Sequence, residues 1–429
     1  MKCAMCPMVV GLILAAAAFA QDLPPEVLLL SRVRRHIQEE LQRLPNISCL
    51  ETVQREHKPA RGKAEPLDTV RLEVLTNGHK ELFASPGDRK FSEQHPISYA
   101  GSGVLGDGFF GVYLKEIVVH GNGSNEYKGE EMIGGHRLSR WDYLLPVMWA
   151  GQTIHLPEGS GNVGLHGSFW ADPETYDVTR LELNADSFPP TLPLTEAVTR
   201  INYSRTDVGN NEVLLLPESG EFRMVRLAGE MSHNRIEFTH CRLFGAQSTI
   251  NFDEPDFAEQ AARFGTASID DTLRPLPAGL QIAVKLRSRI SGDLPVGALI
   301  DGVVATDVSA KGAVMIAAGS PVRGRIRRLE HYMEPFPYFV IALEFTEVEL
   351  QGIRHRFYAN LLDTDSLFGL EKTLSVANKT ERNGREVRRT SEDLSLPNLP
   401  GVAAFFLKGR KLDLPRGFRT VWQTRPVTP

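Results

Sequence analysis

The sequence predicts a mainly β protein: a helix-backed, curved antiparallel sheet of half-barrel type, followed by a small β-barrel or sandwich domain. Three observations predict it. One amphipathic helix stands near the start, and alternating segments punctuated by Gly, Pro, Asn and Asp fill the rest of the N-terminal half. A second series of alternating segments follows a break in that pattern. One apolar helix stripe followed by many antiparallel strands is buried most simply by wrapping the sheet on the helix.

Composition frames this reading. Of 429 residues, 42% are hydrophobic and 24% charged, with a net charge of −5. That balance supports packed cores and excludes wholesale disorder, collagen, a coiled coil and a polytopic membrane protein. A sequence pI near 6.2 gives no electrostatic case for nucleic acid as a partner. At about 150 residues per domain, the length allows two or three domains.

Residues 1–20 read as an export signal. Lys2 supplies the positive start, Val9 to Ala17 the apolar run, and Ala18-Phe19-Ala20 a small-residue cleavage site before Gln21. The apolar run falls short of the ~20 residues that span a bilayer. Cys3 and Cys6 precede it, so they do not mark a lipid anchor, and no later segment is long and apolar enough to cross a membrane. The expectation is an exported chain, periplasmic or extracellular, soluble after cleavage. Cleavage leaves Cys49 and Cys241. Without CxxC spacing, a lone pair in an oxidising compartment is expected as a disulfide, the alternative being two separate buried thiols.

After Pro24-Pro25 a helix is predicted, with Leu29, Val33, Ile37 and Leu41 on one stripe and Pro45-Asn46 ending it. Val70 to Val74 alternate strictly, Asn77-Gly78 is a type I′ hairpin turn, and 80–84 is the return strand. A short helix is expected at 108–118, where Phe110, Leu114 and Ile117 share a face. Strands follow at 130–133, 137–144, 152–156, 163–171, 178–183, 197–205, 212–216, 222–228 and 235–250. The helix and these strands make a first domain over 21–253, and the acidic, proline-marked stretch 254–275 reads as a linker. A second domain covers 276–429, with strands at 282–287, 298–308, 313–316, 322–329, 338–349, 355–361, 403–408 and 418–422. The polar segment 371–392 reads as a mobile insertion within it. Arg323, Arg325 and Arg327 share one strand face, and Glu347 and Glu349 share a face on a following strand. Cross-strand pairing between them is expected to contribute from a few tenths to about 1 kcal/mol per pair.

Two segments carry resemblances. The hairpin Phe169-Trp170-Ala171-Asp172-Pro173-Glu174-Thr175, returning through Arg180-Leu181-Glu182, is similar to that of the LolA/LolB-like periplasmic lipoprotein carriers. The likeness runs over roughly 24–252 and implies a concave apolar face that receives acyl chains. Neither the Cys49/Cys241 pair nor the large C-terminal unit belongs to that carrier pattern. Leu276-Pro277-Ala278-Gly279 and Ile316-Ala317-Ala318-Gly319-Ser320-Pro321-Val322-Arg323-Gly324 resemble the C-terminal β-barrel of conjugation and type IV secretion channel proteins, the VirB10/TrbI-like group. That second likeness implies a barrel fold over roughly 276–362.

Candidate chemistry is sparse. His166, Ser168, Trp170 and Asp172 share one strand face, but same-face neighbours stand roughly 6–7 Å apart, too far for a relay. No nucleophile elbow surrounds Ser168. His155 and His166, or His233 and His240, lack metal-ligand spacing; His331 and His355 flank neighbouring strands and could meet, but surface histidines are common. Gly121-Asn122-Gly123-Ser124-Asn125 reads as a hairpin loop rather than a phosphate loop. No catalytic residue, metal ligand or cofactor is predicted.

Aromatic residues of the first domain are the remaining candidates. Phe110, Tyr113, Trp141, Trp149, Phe169 and Trp170 are expected either in the sheet core or as the lining of an apolar groove. The predicted function is an exported, non-enzymatic envelope protein whose N-terminal domain binds an apolar ligand or a lipid-modified partner. The alternatives are a structural or assembly protein docking an envelope partner through its C-terminal β domain, and a secreted hydrolase.

Overall fold

A computed structural model describes residues 23–76, 80–88, 91–93, 95–100, 103–121, 123–150, 152–156, 159–244, 273–310, 313–333, 336–364, 370–371, 373–382, 385–395 and 401–426. The signal at 1–20, the Asn77-Gly78 turn and most of the 254–275 linker lie outside the described residues.

Helix α1 spans Pro25–Arg43, with proline in its first turn, where the missing N–H costs nothing, and Arg43 in its last. Val33 and Ile37 are fully buried, and Leu29 and Leu41 pack beside them, so the predicted stripe is the buried one.

Eleven described strands make the first sheet. They are β1 (Ile47–Lys58), β2 (Glu65–Thr76), β3 (Glu81–Ala84), β4 (Ser124–Ile133), β5 (His136–Leu145), β6 (Gln152–Leu156), β7 (Gly159–Ala171), β8 (Val178–Asp186), β9 (Leu194–Asp207), β10 (Val213–Arg226) and β11 (Met231–Leu243). The order is β3-β2-β1-β11-β10-β9-β8-β7-β5-β4, with β6 on the side of β7. Sequence neighbours pair as antiparallel hairpins, and the long-range pairing of β1 with β11 joins the start of the run to its end. Cys49 and Cys241 form a disulfide across that pairing, beside a bulge in β1.

Three local expectations change. The strands expected at 212–216 and 222–228 merge into one, β10 (Val213–Arg226), because a bulge at Pro217/Ser219 accommodates the proline that looked like a break. The helix expected at 108–118 begins only after Gly111, and from Leu114 to His120 it is a π-helix. Gly108 and Gly111 have φ of +85° and +150°, outside right-handed helix, so the helix starts after them. Gly121 is the left-handed cap of that helix and Ser124-Asn125 already belong to β4, where a hairpin loop was expected.

The second unit comprises β12 (Arg274–Pro275), β13 (Gln281–Leu286), β14 (Ile290–Ser291), β15 (Leu299–Val304), β16 (Val308–Ala310), β17 (Ala313–Ile316), β18 (Pro321–Tyr332), β19 (Tyr338–Leu350), β20 (Ile353–Arg356), β21 (Ala359–Thr364), β22 (Leu370–Glu371), β23 (Thr373–Arg382), β24 (Arg385–Ser395), β25 (Val402–Lys408), β26 (Asp413–Leu414) and β27 (Arg419–Thr424). Its main sheet runs β12-β20-β19-β18-β15-β13-β27-β21, with β25 also on β19. The sheet curls on itself, since Phe345 of β19 meets Trp422 of β27 with ring centroids 5.3 Å apart. The polar segment 371–392 lies largely in the β23–β24 hairpin.

The two sheets share one continuous core. A short parallel bridge joins Val70 to Val296, with Val296 N donating to Thr69 O at 2.7 Å. Arg55 of β1 donates to Asp68 through Nε and Nη2 and approaches Glu330 of β18, all deeply buried. Arg328 and Tyr332 complete the Glu330 shell at 2.8 and 2.9 Å.

The arginine row of β18 divides its work. Arg323 finds Glu349 at 3.3 Å and Glu347 at 3.8 Å, as expected from the strand faces. Arg325 instead grips Asp88 of the first unit through two 2.8 Å hydrogen bonds. Bulges at Arg323/Gly324 and Ile326/Arg328 shift the register and break the simple ladder. Arg325 is 1% exposed at the side chain and Arg323 is 26% exposed. Arg325→Ala is therefore expected to cost about 3–5 kcal/mol, since it leaves Asp88 unpaired, while Arg323→Ala costs under ~1 kcal/mol. Urea denaturation measures both, and equal losses would contradict this division.

Candidate functional site

Because β3 and β4 are opposite edges of the first sheet, the chain between them must cross the sheet. This crossover carries a short helix α2 (Ile97–Ala100), the aromatic turn at 109–113 and the π-helix Leu114–His120. It runs on the face where α1 lies, with Arg34 Nε of α1 donating to Val118 O at 3.1 Å. Leu114, Ile117 and Val118 are buried there. Phe109 and Phe110 pack on Phe238 of β11 at centroid distances of 5.6 and 5.0 Å. Gly220 of β10 makes room, for a Cβ there would stand 3.1 Å from the Phe109 ring.

A few polar contacts hold the crossover down. Glu81 accepts the N–H of Gly108 at 2.7 Å and of Phe110 at 2.8 Å. The Tyr203 hydroxyl donates to Phe109 O at 3.1 Å, and Asn234 Nδ2 donates to Val104 O at 2.7 Å. Enclosure pushes the Glu81 carboxyl up to about 7, against the opposing pull of those two backbone donors. Burial drives Glu51 well above the usual carboxylate range, and the nearby Glu81 and Asp107 add to it. Burial likewise raises the Tyr113 and Tyr203 phenols. An opening of about 200 Å³ beside the crossover is lined by Glu81, Phe83, His95, Asp107, Val112 and Tyr113.

The six aromatic candidates do not line one surface. Phe110, Tyr113, Trp141 and Phe169 are buried in the core, and Trp141 stacks on Phe169 with centroids 5.4 Å apart. Trp170 points to the other side of β7, because adjacent strand residues face opposite ways. It is sandwiched there between Arg140 and Arg180, with Nε1 donating to Glu131 at 2.8 Å. Trp149, 52% exposed, sits on the outer turn of helix α3 (Val147–Ala150) beside Met148. Glu51, Glu81, Tyr203 and Asn234 escaped the sequence reading. Their one sequence signal was a glutamate at an inward position between Cys49 and Val53.

His166 and Ser168 engage different acids, Asp186 at 3.0 Å and Asp142 at 2.6 Å, so the structure does not bring them into a relay. Asp172 caps its own turn by accepting from Glu174 N. His331 and His355 flank β19 from opposite sides, facing Phe339 and Val348, so the meeting that their sequence positions allowed does not occur. Among the described residues no group of three or more His, Cys, Asp or Glu side chains is arranged to hold a metal ion. None of the described helices is long and apolar enough to cross a membrane.

No protein-family model matches the chain, and no curated protein does. Among solved structures, a DUF1329 family protein from Desulfovibrio piger is similar at 12% identity and a TM-score of 0.27, over 51% of this chain and 95% of that one. A candidate outer membrane lipoprotein-sorting protein domain from Vibrio parahaemolyticus is similar at 11% identity and a TM-score of 0.27, over 54% and 97%. A LolA superfamily protein from Nitrosomonas europaea is similar at 12% identity and a TM-score of 0.23, over 53% and 96%.

Glu81 makes the crossover pH-sensitive. Its folded value of about 7 exceeds the ordinary 4.5, so the folded state binds the extra proton. The stabilisation is complete below about pH 4.5 and is lost as pH rises through about 7. Glu81→Gln is expected to flatten this decline and, because its amide nitrogen cannot accept the second backbone N–H, to melt about 2–4 °C below the native chain at pH 4.5. Thermal melts across pH 4.5 to 8 check it, and an unchanged slope would remove Glu81 from this role.

Proposed function

We propose that this chain is an exported, non-enzymatic binding protein of the cell envelope that receives an apolar chain in its first sheet. The ligand class is the acyl portion of a lipid or of a lipid-modified partner. The observation that carries this reading is the aromatic crossover: Phe109, Phe110 and Tyr113 fill the apolar face of a curled sheet. The segment is anchored through Glu81, Tyr203 and Asn234. A segment so held is exchangeable for a ligand of matching chemistry. Export rests on the signal-like residues 1–20, and the resemblance of the 169–182 hairpin to lipoprotein carriers points the same way. The separate acid partners of Ser168 and His166 weigh against the hydrolase alternative.

Magnitudes set a length threshold. Uncovering three aromatic side chains costs about 5–9 kcal/mol, and each buried methylene returns about 0.8 kcal/mol. Chains of about ten carbons or more can displace the crossover, and much shorter ones cannot. Native purification followed by lipid extraction and mass spectrometry is expected to find a co-purifying acyl compound. Titration with a fluorescent fatty acid is expected to show displacement by palmitate but not by hexanoate. Phe110→Ala weakens the internal competitor, so it is expected to tighten palmitate binding about tenfold. No co-purifying lipid together with no chain-length dependence would refute the reading.

A further inference from the structure

A second cleft, of about 410 Å³, lies between the two sheets, and Gln54 to Glu56 of β1 and Pro66 to Thr69 of β2 line it. One wall is formed by β1 and β2, and the other by the turn after β14, the β18–β19 pair and the loop between β25 and β26. His331 and Phe339 stand opposite each other in the β18–β19 ladder and stack nearly parallel, with ring centroids 4.2 Å apart. Nε2 of His331 is buried and has no hydrogen-bond partner. Burial also lowers the His331 pKa, so near neutral pH the ring is uncharged and offers a single N–H.

Charge in this cleft is unbalanced. Arg410 and Lys411 are consecutive and exposed on the β25–β26 loop, and among the described residues neither has an ion-pair partner. Two of the three acids that share the lining are paired with cations, and the third, Asp293, keeps its charge in the cleft. Glu56 pairs with His233 and Arg235, and Asp68 is held by Arg55. Asp293 is hydrogen-bonded by Ser291, which holds its carboxyl below the usual range. Beyond His331 a smaller recess carries Lys63, also exposed and without a partner among the described residues, together with Glu65.

A guanidinium fork, an ammonium and an imidazole N–H around one recess match a group with several anionic oxygens. We propose that this cleft binds a phosphate group, carried by a soluble phosphorylated compound or by a phospholipid headgroup, through Arg410, Lys411 and His331. A lone carboxylate has too few oxygens for two cations and an imidazole N–H, whereas a phosphate has enough for all three. The site is distinct from the aromatic crossover and does not depend on it.

Calorimetry with inorganic pyrophosphate at low ionic strength tests it, alongside flotation with phosphatidylcholine vesicles with and without phosphatidylglycerol. The full chain is expected to bind at least one of the two anionic probes. Binding to pyrophosphate alone assigns a soluble phosphate. Binding only to the phosphatidylglycerol vesicles assigns a headgroup. The double variant Arg410→Glu/Lys411→Glu is expected to weaken binding at least tenfold, and Arg410→Gln/Lys411→Gln to weaken it several-fold. His331→Ala is expected to weaken binding several-fold without changing its salt dependence. The control Arg35→Glu/Lys115→Glu makes the same charge change on the far unit and is expected to leave binding unaltered. Failure of the native chain to bind either probe would overturn the proposal. So would equal binding by the charge-reversed variant, or an equal loss in the control.

Discussion

The pairing of β1 with β11 is the constraint on which the rest of the molecule depends. Without it the first unit would be two separate runs of hairpins. With it, β3 and β4 become the two edges of one sheet, and residues 85–123 have no route between them except across that sheet. The Cys49–Cys241 disulfide closes a 192-residue separation at this junction. A link over so long a loop restricts the unfolded chain by an amount the chain-entropy model puts at about 5 kcal/mol. The same strand then serves three neighbourhoods through alternate residues. Cys49 is the staple, Glu51 is the buried acid near the crossover, and Arg55 is the clamp to the second sheet.

Charge is distributed in two ways. The outer face of the first sheet carries a cross-strand ladder, with Glu182 meeting Arg200, Arg200 meeting Glu221, and Glu221 meeting His233. These pairs are partly exposed, so each contributes at most about 1 kcal/mol, and their chief effect is to keep that face in water. The Arg55–Asp68–Glu330 and Arg325–Asp88 groups are enclosed between the sheets. There an unpaired partner is far more costly than the pair is stabilising, so these contacts select one relative placement of the sheets rather than add much net stability.

How much was legible in the sequence follows from range. The α1 stripe and most strands were legible because periodicity is local, and Val33 and Ile37 are buried where it puts them. That Phe169 and Trp170 face opposite ways was also legible, since strand alternation separates neighbours, and it rules out a single groove containing both. The crossover was not legible, because its path is dictated by a pairing between residues near 50 and near 240. Arg325 escaped for a related reason: two bulges in β18 redirect it, and bulges leave little mark on an alternating pattern. Glu81 sat in a strand read correctly at 80–84, yet its partners Gly108 and Phe110 are supplied by the crossover.

The central claim is that the aromatic crossover occupies the place of an apolar chain. Hydrogen exchange at the Gly108 and Phe110 amides, with and without saturating palmitate, tests this most directly, because both amides are held by Glu81. Their exchange is expected to accelerate when palmitate binds, while the amides of β9 and β10 stay protected. Palmitate binding that leaves both amides as slow as before would contradict it.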